Sequence, residues 1–142
     1  MNIASLLAKK GRRVVTIGPD RTIRQALELL AEHNIGALVV VDETSRPVGI
    51  LSERDIVREA ARNETPFAQP VSALMTRSLI IGVPQDDLSA VGVTMTEKHI
   101  RHLPVMDQGK LVGMVSIGDV VKAQRDQYLG ELDTLQTQIT GA

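Results

Sequence analysis

The chain has 142 residues, enough to bury roughly 70% of its unfolded surface as one compact domain or two small fused lobes. Phe67 and Tyr128 are the only aromatic residues and Trp is absent, so the core must be aliphatic and a base-stacking platform of aromatic rings is excluded. A net charge of -1, with no long block of one sign, disfavours counterion-driven binding to nucleic acid or an anionic membrane, and the absence of Cys removes disulfides, thiolate nucleophiles and thiolate metal sites.

The lack of Cys fits a reducing compartment. The longest apolar run, residues 35–41, falls far short of the ~18 residues of a membrane span. At the N-terminus the apolar residues precede Lys9, Lys10, Arg12 and Arg13, the reverse of a secretory signal, so a cytoplasmic location is expected.

In chain order, residues 1–8 read as a short helix with Ile3, Leu6 and Leu7 at helical spacing and Gly11 as its stop; it is expected to pack on the first lobe. Val14, Val15, Thr16 and Ile17 form a short strand ended by Gly18-Pro19. Thr22 caps a helix whose apolar face is Ile23, Ala26, Leu27, Leu30 and Ala31, and Asn34 ends it. Residues 35–41, rich in β-branched side chains without polar alternation, read as a strand covered on both faces. A turn at 42–45 joins them to a strand over 46–51 as a hairpin. From Ser52 a helix is expected to carry Ile56, Val57 and Ala60 inward before dissolving at Asn63 to Pro66.

A register shift of 65 residues brings the same order back: Pro19 falls on Pro84, Glu32 on Glu97, Ile35 on Ile100, Leu38 on Leu103 and Asp42 on Asp107. One residue is deleted in the hairpin turn. The shift then becomes 64, so Val48, Gly49, Ser52, Asp55 and Val57 meet Val112, Gly113, Ser116, Asp119 and Val121. The fold class is α/β (α+β), two tandem β-α-β-β-α units related by a pseudo-two-fold. The division is an N-terminal helix at 1–13, a first repeat at 14–64, a linker and entry to the second copy at 65–78, a second repeat at 79–123 and a helical tail at 124–142. Within that entry, residues 71–76 open the second copy. In the tail, Leu129, Leu132, Leu135 and Ile139 form an apolar stripe suited to self-association or to folding back on its own lobe.

Ser52-Glu53-Arg54-Asp55 and Ser116-Ile117-Gly118-Asp119 each follow a strand and open a helix. A Ser N-cap with an acid at N3 is an ordinary helix start, and it is also a layout for a sugar and its phosphate. Its occurrence at matched places in both halves favours the second role.

With Gly-x-x-Ser-x-x-Asp twice, the strand order above, and Ile100-Arg101-His102-Leu103-Pro104-Val105 at the second strand, the sequence resembles a tandem cystathionine-β-synthase (CBS) domain pair, the Bateman module. The resemblance spans residues 14–121 or so. It implies a fold that binds adenosine nucleotides in clefts between repeats and pairs into a disc-like homodimer.

The resemblance also implies that each cleft draws on both repeats. Site A would combine Ser52, Arg54 and Asp55 with Ile80, Ile81, Ile100, Arg101, His102, Leu103 and Pro104. Site B would combine Ser116, Gly118 and Asp119 with Val15, Thr16, Ile17, Ile35, Gly36, Ala37 and Leu38. An ionised Asp accepts from both ribose hydroxyls, first-turn N–H groups suit phosphate, and strand-edge amides read adenine. Arg54, Arg101 and His102 give site A charge for a compact anionic nucleotide such as AMP. The matching Gly118, Gly36 and Ala37 leave site B roomier and uncharged, open to NAD(H) or left empty.

Catalysis is not expected. No Gly-x-Ser-x-Gly elbow is present and nothing is placed to orient His102, while His99 and His102 lack the HExxH motif or acidic cluster of a metal site. His33 reads as a solvated helix residue, and Glu53 and Arg58 as exposed ones. The expected function is an adenine-nucleotide sensor of AMP, NAD(H) or ATP that signals energy state to a separate protein, because no catalytic, channel or DNA-binding domain is attached. The alternative is a ligand-free homodimerisation scaffold whose Ser and Asp only cap helices.

Overall fold

The computed structural model describes residues 1–140, with side chains described through residue 131. Leu132, Leu135 and Ile139 of the apolar stripe therefore lie outside the described side chains. Helix α1 (Ile3–Lys10) starts at Asn2, whose Oδ1 accepts from the Ser5 amide at 2.9 Å, and stops at Gly11, which takes φ 99°. Strand β1 (Thr16–Ile17) runs parallel to β2 (Ala37–Val41), and β2 pairs antiparallel with β3 (Pro47–Ser52), giving the sheet order β1-β2-β3. Between β1 and β2 lies α2 (Ile23–His33), with a Thr22/Gln25 capping box at its start and Asn34 in the left-handed conformation at its end. Helix α3 (Glu53–Ala60) follows β3, then a 3-10 turn at Pro66–Ala68 and a single helical turn, α4 (Val71–Leu74).

The second copy holds α5 (Leu88–Glu97), the antiparallel pair β4 (His102–Asp107) and β5 (Lys110–Ser116), and α6 (Ile117–Thr140). Its first strand shrinks to one parallel bridge, Gly82 to Val105, with the Gly82 amide donating to Pro104 and the Gly82 carbonyl accepting from Met106. A Cβ at Gly82 would come within 2.6 Å of Leu103 Cδ2 and 3.0 Å of Ile3 Cδ1, so any larger residue would have to push these core side chains aside. Beyond it the Pro84 and Asp86 carbonyls turn away to accept from the Ala4 and Ile3 amides of α1. Helix α6 runs unbroken from the second repeat into the tail.

Two aliphatic cores result, and each includes a segment that precedes the other repeat. Ile17, Ile23, Leu30, Leu38 and Leu51 of the first copy pack with Val71 and Met75, so residues that read as the opening of the second copy complete the first. Conversely Ile3, Leu6 and Leu7 pack with Leu88, Met95, Leu103 and Val115, which corrects the expected docking of α1 on the first lobe. The glycines at the β3 and β5 equivalence explain the arrangement. A Cβ on Gly49 would meet Met75 Sδ at 2.6 Å, and one on Gly113 would meet Leu7 Cδ2 at 2.7 Å. Each missing side chain makes room for the exchanged one.

Helix α3 also differs from its expected inward face. Ile56 and Glu59 are buried while Val57 is 66% exposed and Ala60 lies outside. Positions 56 and 59 share the stripe that meets the sheet and the linker, and 57 and 60 are turned about 100° from it. Glu59 is tolerated there because Arg62 Nε donates to its carboxylate at 2.7 Å. No described helix is long and apolar enough to cross a membrane.

Candidate functional site

Both Ser/Asp pairs sit where a strand hands over to a helix. Ser52 Oγ accepts from the Asp55 amide at 3.3 Å, while Asp55 Oδ2 accepts from the Ser52 amide at 2.9 Å and from its hydroxyl at 3.0 Å. In the second copy Ser116 Oγ accepts from the Asp119 amide at 3.0 Å and Asp119 Oδ2 from the Ser116 amide at 2.8 Å. The ordinary cap is thus fully formed at both places. Each carboxylate keeps its Oδ1 free of any hydrogen bond to the described residues.

Around the first pair opens a cavity of about 430 Å³, within the range typical of small-molecule sites. Its floor is the start of α3 with Ser52, Arg54 and Asp55. Facing them are Ile80 and the approach to β4 with Ile100, Arg101 and His102, and Gly36, Ser116 and Gly118 of the second predicted set complete one side. Register explains the last group: the Glu53 amide donates to the Gly36 carbonyl and the Ile117 amide to the Arg101 carbonyl, each at 2.9 Å. These bonds tie each helix start to its own second strand.

Among the described residues Arg54, Arg58 and Arg101 make no ion pair, and neither does Asp55. Three arginines thus border one cavity without pairing to the Glu53 and Asp55 carboxylates that line it with them. His102 differs from them: burial, then the neighbouring Arg101 charge, hold its pKa below the usual imidazole value, so it is neutral near pH 7 and accepts or donates one hydrogen bond without adding charge. Because the folded pKa lies below the unfolded one, the unfolded chain takes up the proton first as pH falls. Stability is therefore full above about pH 6.5 and declines below it, until the folded form also protonates. Melting temperatures across this window should fall less steeply in His102→Gln than in the wild type; parallel curves would rule this burial effect out.

The remaining predicted residues lie elsewhere. Ile81 is exposed and lines, with Leu103, a second and smaller hollow of about 250 Å³, and Pro104 is buried in β4. Of the second set, Ile17, Ala37 and Leu38 are buried, Val15 and Ile35 half-buried, and Thr16 exposed on β1. Asp119 does not line the main cavity. Its Oδ2 accepts from Lys10 Nζ at 2.6 Å, and the same ammonium donates to the Met114 carbonyl at 2.8 Å. Burial alone would raise the Asp119 pKa, but the bonds from Lys10 and Ser116 outweigh it and hold the carboxyl below its usual range.

Several lining residues were not among the predicted ones. Arg58 and Glu53, read as merely exposed, border the cavity with His99, and Thr76, Ser78 and Leu79 supply its wall from the segment after α4. Arg58 was accessible to sequence reasoning, since it lies four residues after Arg54 on one helix face. Lys10 carried no local signal, because its partner is 109 residues away.

The family model described as "CBS domain" matches the chain twice, at residues 10–62 and 71–126. Among curated proteins the chain is 36% identical over 112 residues to CBS domain-containing protein YhcV of Bacillus subtilis, covering 79% of each. Among solved structures it is similar to a CBS-domain containing protein from Agrobacterium tumefaciens, at 40% identity and TM-score 0.81 over 87% of this chain and 92% of that one. A CBS domain protein from Pyrobaculum aerophilum, complexed with AMP, is 30% identical with TM-score 0.75 over 84% and 89% of the two chains. The CBS domain pair of protein MJ0100, in complex with 5-methylthioadenosine and S-adenosyl-L-methionine, is 26% identical with TM-score 0.80 over 89% and 98%.

Proposed function

This chain belongs to the CBS domain family, and from that premise we infer that it is a regulatory module that binds AMP in the cleft between Asp55 and Arg101 and reports occupancy to another protein. The observation that carries this reading is the convergence on one cavity of three arginines that make no ion pair with the Asp55 carboxylate, Glu53 being the other acid there. Asp55 takes the ribose hydroxyls. The α3 N–H groups and Arg54, Arg58 and Arg101 take the phosphate, and Ile80 and Ile100 give the adenine an apolar wall. Relatives solved with AMP and with sulfur-linked adenosines support an adenosine ligand. ATP is accommodated by the same cation set with weaker fit, and NAD(H) would need the second cleft.

Charge is the discriminating variable, so calorimetry with AMP and with uncharged adenosine tests it. AMP should bind about 10- to 100-fold more tightly, the value of one charge-assisted hydrogen bond, and Arg101→Ala should reduce that advantage while leaving adenosine almost unchanged. Equal affinity of the two ligands, or equal losses in Arg101→Ala, removes the assigned role of the arginines.

A second reading has its own support: both Ser/Asp pairs are complete caps built from the chain's own groups, as a scaffold requires. Absence of binding by AMP, ATP, NADH and S-adenosylmethionine would favour it. Either reading includes a homodimer, for which Val57 and Val121, at matching positions and 66% and 57% exposed, offer apolar surface.

A further inference from the structure

Two lobes related by a pseudo-two-fold ought to offer two equivalent clefts, yet the two carboxylates are not in equivalent states. Asp55 Oδ2 receives its second hydrogen bond from the hydroxyl of its own Ser52, which rotates aside for an incoming donor at little cost. Asp119 Oδ2 receives its second from the Lys10 ammonium, which Met114 also holds. The symmetry of the exchanged segments shows why. Leu7 rests on Gly113 as Met75 rests on the equivalent Gly49, so the residue three places on is Lys10 in one lobe and Ser78 in the other. Ser78 lines the open cavity at Asp55, whereas Lys10, at the end of α1, holds a cation on the Asp119 carboxylate.

We propose that Lys10 locks the Ser116–Asp119 cleft against a ribose, so that each chain takes a single nucleotide, at Asp55. The inference rests on the nucleotide-binding reading above. A diol that grips both carboxylate oxygens of Asp119 must displace from Oδ2 a donor that is charged and anchored at two oxygens. Lys10 is 35% exposed and Asp119 24%, so the pair is partly shielded from water and salt. The lock comes from α1, whose apolar residues bind it to the second core, and so it is present whenever α1 is docked.

Equilibrium dialysis with AMP and with adenosine, on wild type, Lys10→Met, Lys10→Arg, Asp55→Asn and Lys10→Met/Asp119→Asn, tests this. Methionine keeps an apolar stem of similar length, and Lys10→Arg keeps the cation and serves as the control for folding. Wild type and Lys10→Arg should bind one equivalent, lost in Asp55→Asn. Lys10→Met should bind a second, with adenosine affinity at that cleft raised about tenfold or more, and the second equivalent should vanish with Asp119→Asn. A second AMP would be the more telling because the substitution removes a positive charge that phosphate would favour. Two equivalents in wild type, or a Lys10→Met protein that binds no more than the single equivalent of wild type, overturn the lock. If wild type binds neither ligand but Lys10→Met binds one, the lock stands and the Asp55 assignment fails; if neither protein binds, both fail.

Discussion

Asp55→Ala should lower AMP affinity by about 100-fold or more and erase the thermal shift that the ligand gives the wild type. The carboxylate is assigned two ribose hydroxyls, and hydrogen bonds to a charged group are worth about 1.5–3 kcal/mol each. At a free concentration near 100 times its dissociation constant, AMP stabilises the wild type by about 2.7 kcal/mol, which for a domain of this size is about 5–10 °C. Alanine also removes the acceptor of the Ser52 amide, so the unliganded variant should lose a further 1 kcal/mol or so of helix capping. Asp55→Asn separates the two effects. Its amide oxygen still accepts from Ser52, so stability should stay within a few tenths of a kcal/mol while most of the affinity is lost. Calorimetry and melting curves on the pair decide the matter, and an Asp55→Ala protein that keeps its AMP response would remove Asp55 from the site.

Leu7→Ala carries the largest expected effect on the fold. Leu7 is 2% exposed over Gly113, and deleting a buried leucine side chain costs about 2–5 kcal/mol, with the upper part of the range where the gap cannot collapse. Glycine at 113 has no side chain with which to fill it. The loss should be local to the second core, so amide exchange should accelerate in β4 and β5 more than in β2 and β3. Exchange that accelerates equally in both sheets, or a cost below 1 kcal/mol, would contradict the docking of α1 on the second lobe.

Much of this molecule is legible in its sequence because its signals are local or repeated. The shift of 65 and then 64 residues marks the duplication, and Thr22/Gln25, Ser52/Asp55 and Ser116/Asp119 mark three helix starts within four residues each. The convergence of Arg54 and Asp55 with Ile100 and Arg101 followed from the family resemblance, and the cavity does contain them together. What escaped was relational. The stripe of Ile3, Leu6 and Leu7 says that α1 is buried on one side but not against what, and no periodicity distinguishes one aliphatic core from another. Val57 escaped for a different reason: on a helix of eight residues an apolar stripe has no second repeat to fix its phase, and a buried acid paired with Arg62 took the place that a hydrophobic residue was expected to hold.

The exchange of segments between lobes also bears on how the chain is made. During synthesis the first lobe can close once Met75 has left the ribosome, whereas α1 emerges first and its partners from Leu88 onward come on the order of 80 residues later. At about 5–20 residues per second that leaves an amphipathic helix waiting for about 4–16 s. During that interval its leucines are free to enter the unfinished second lobe of a neighbouring nascent chain on the same message, and a perturbation of α1 would disturb the second lobe rather than the first.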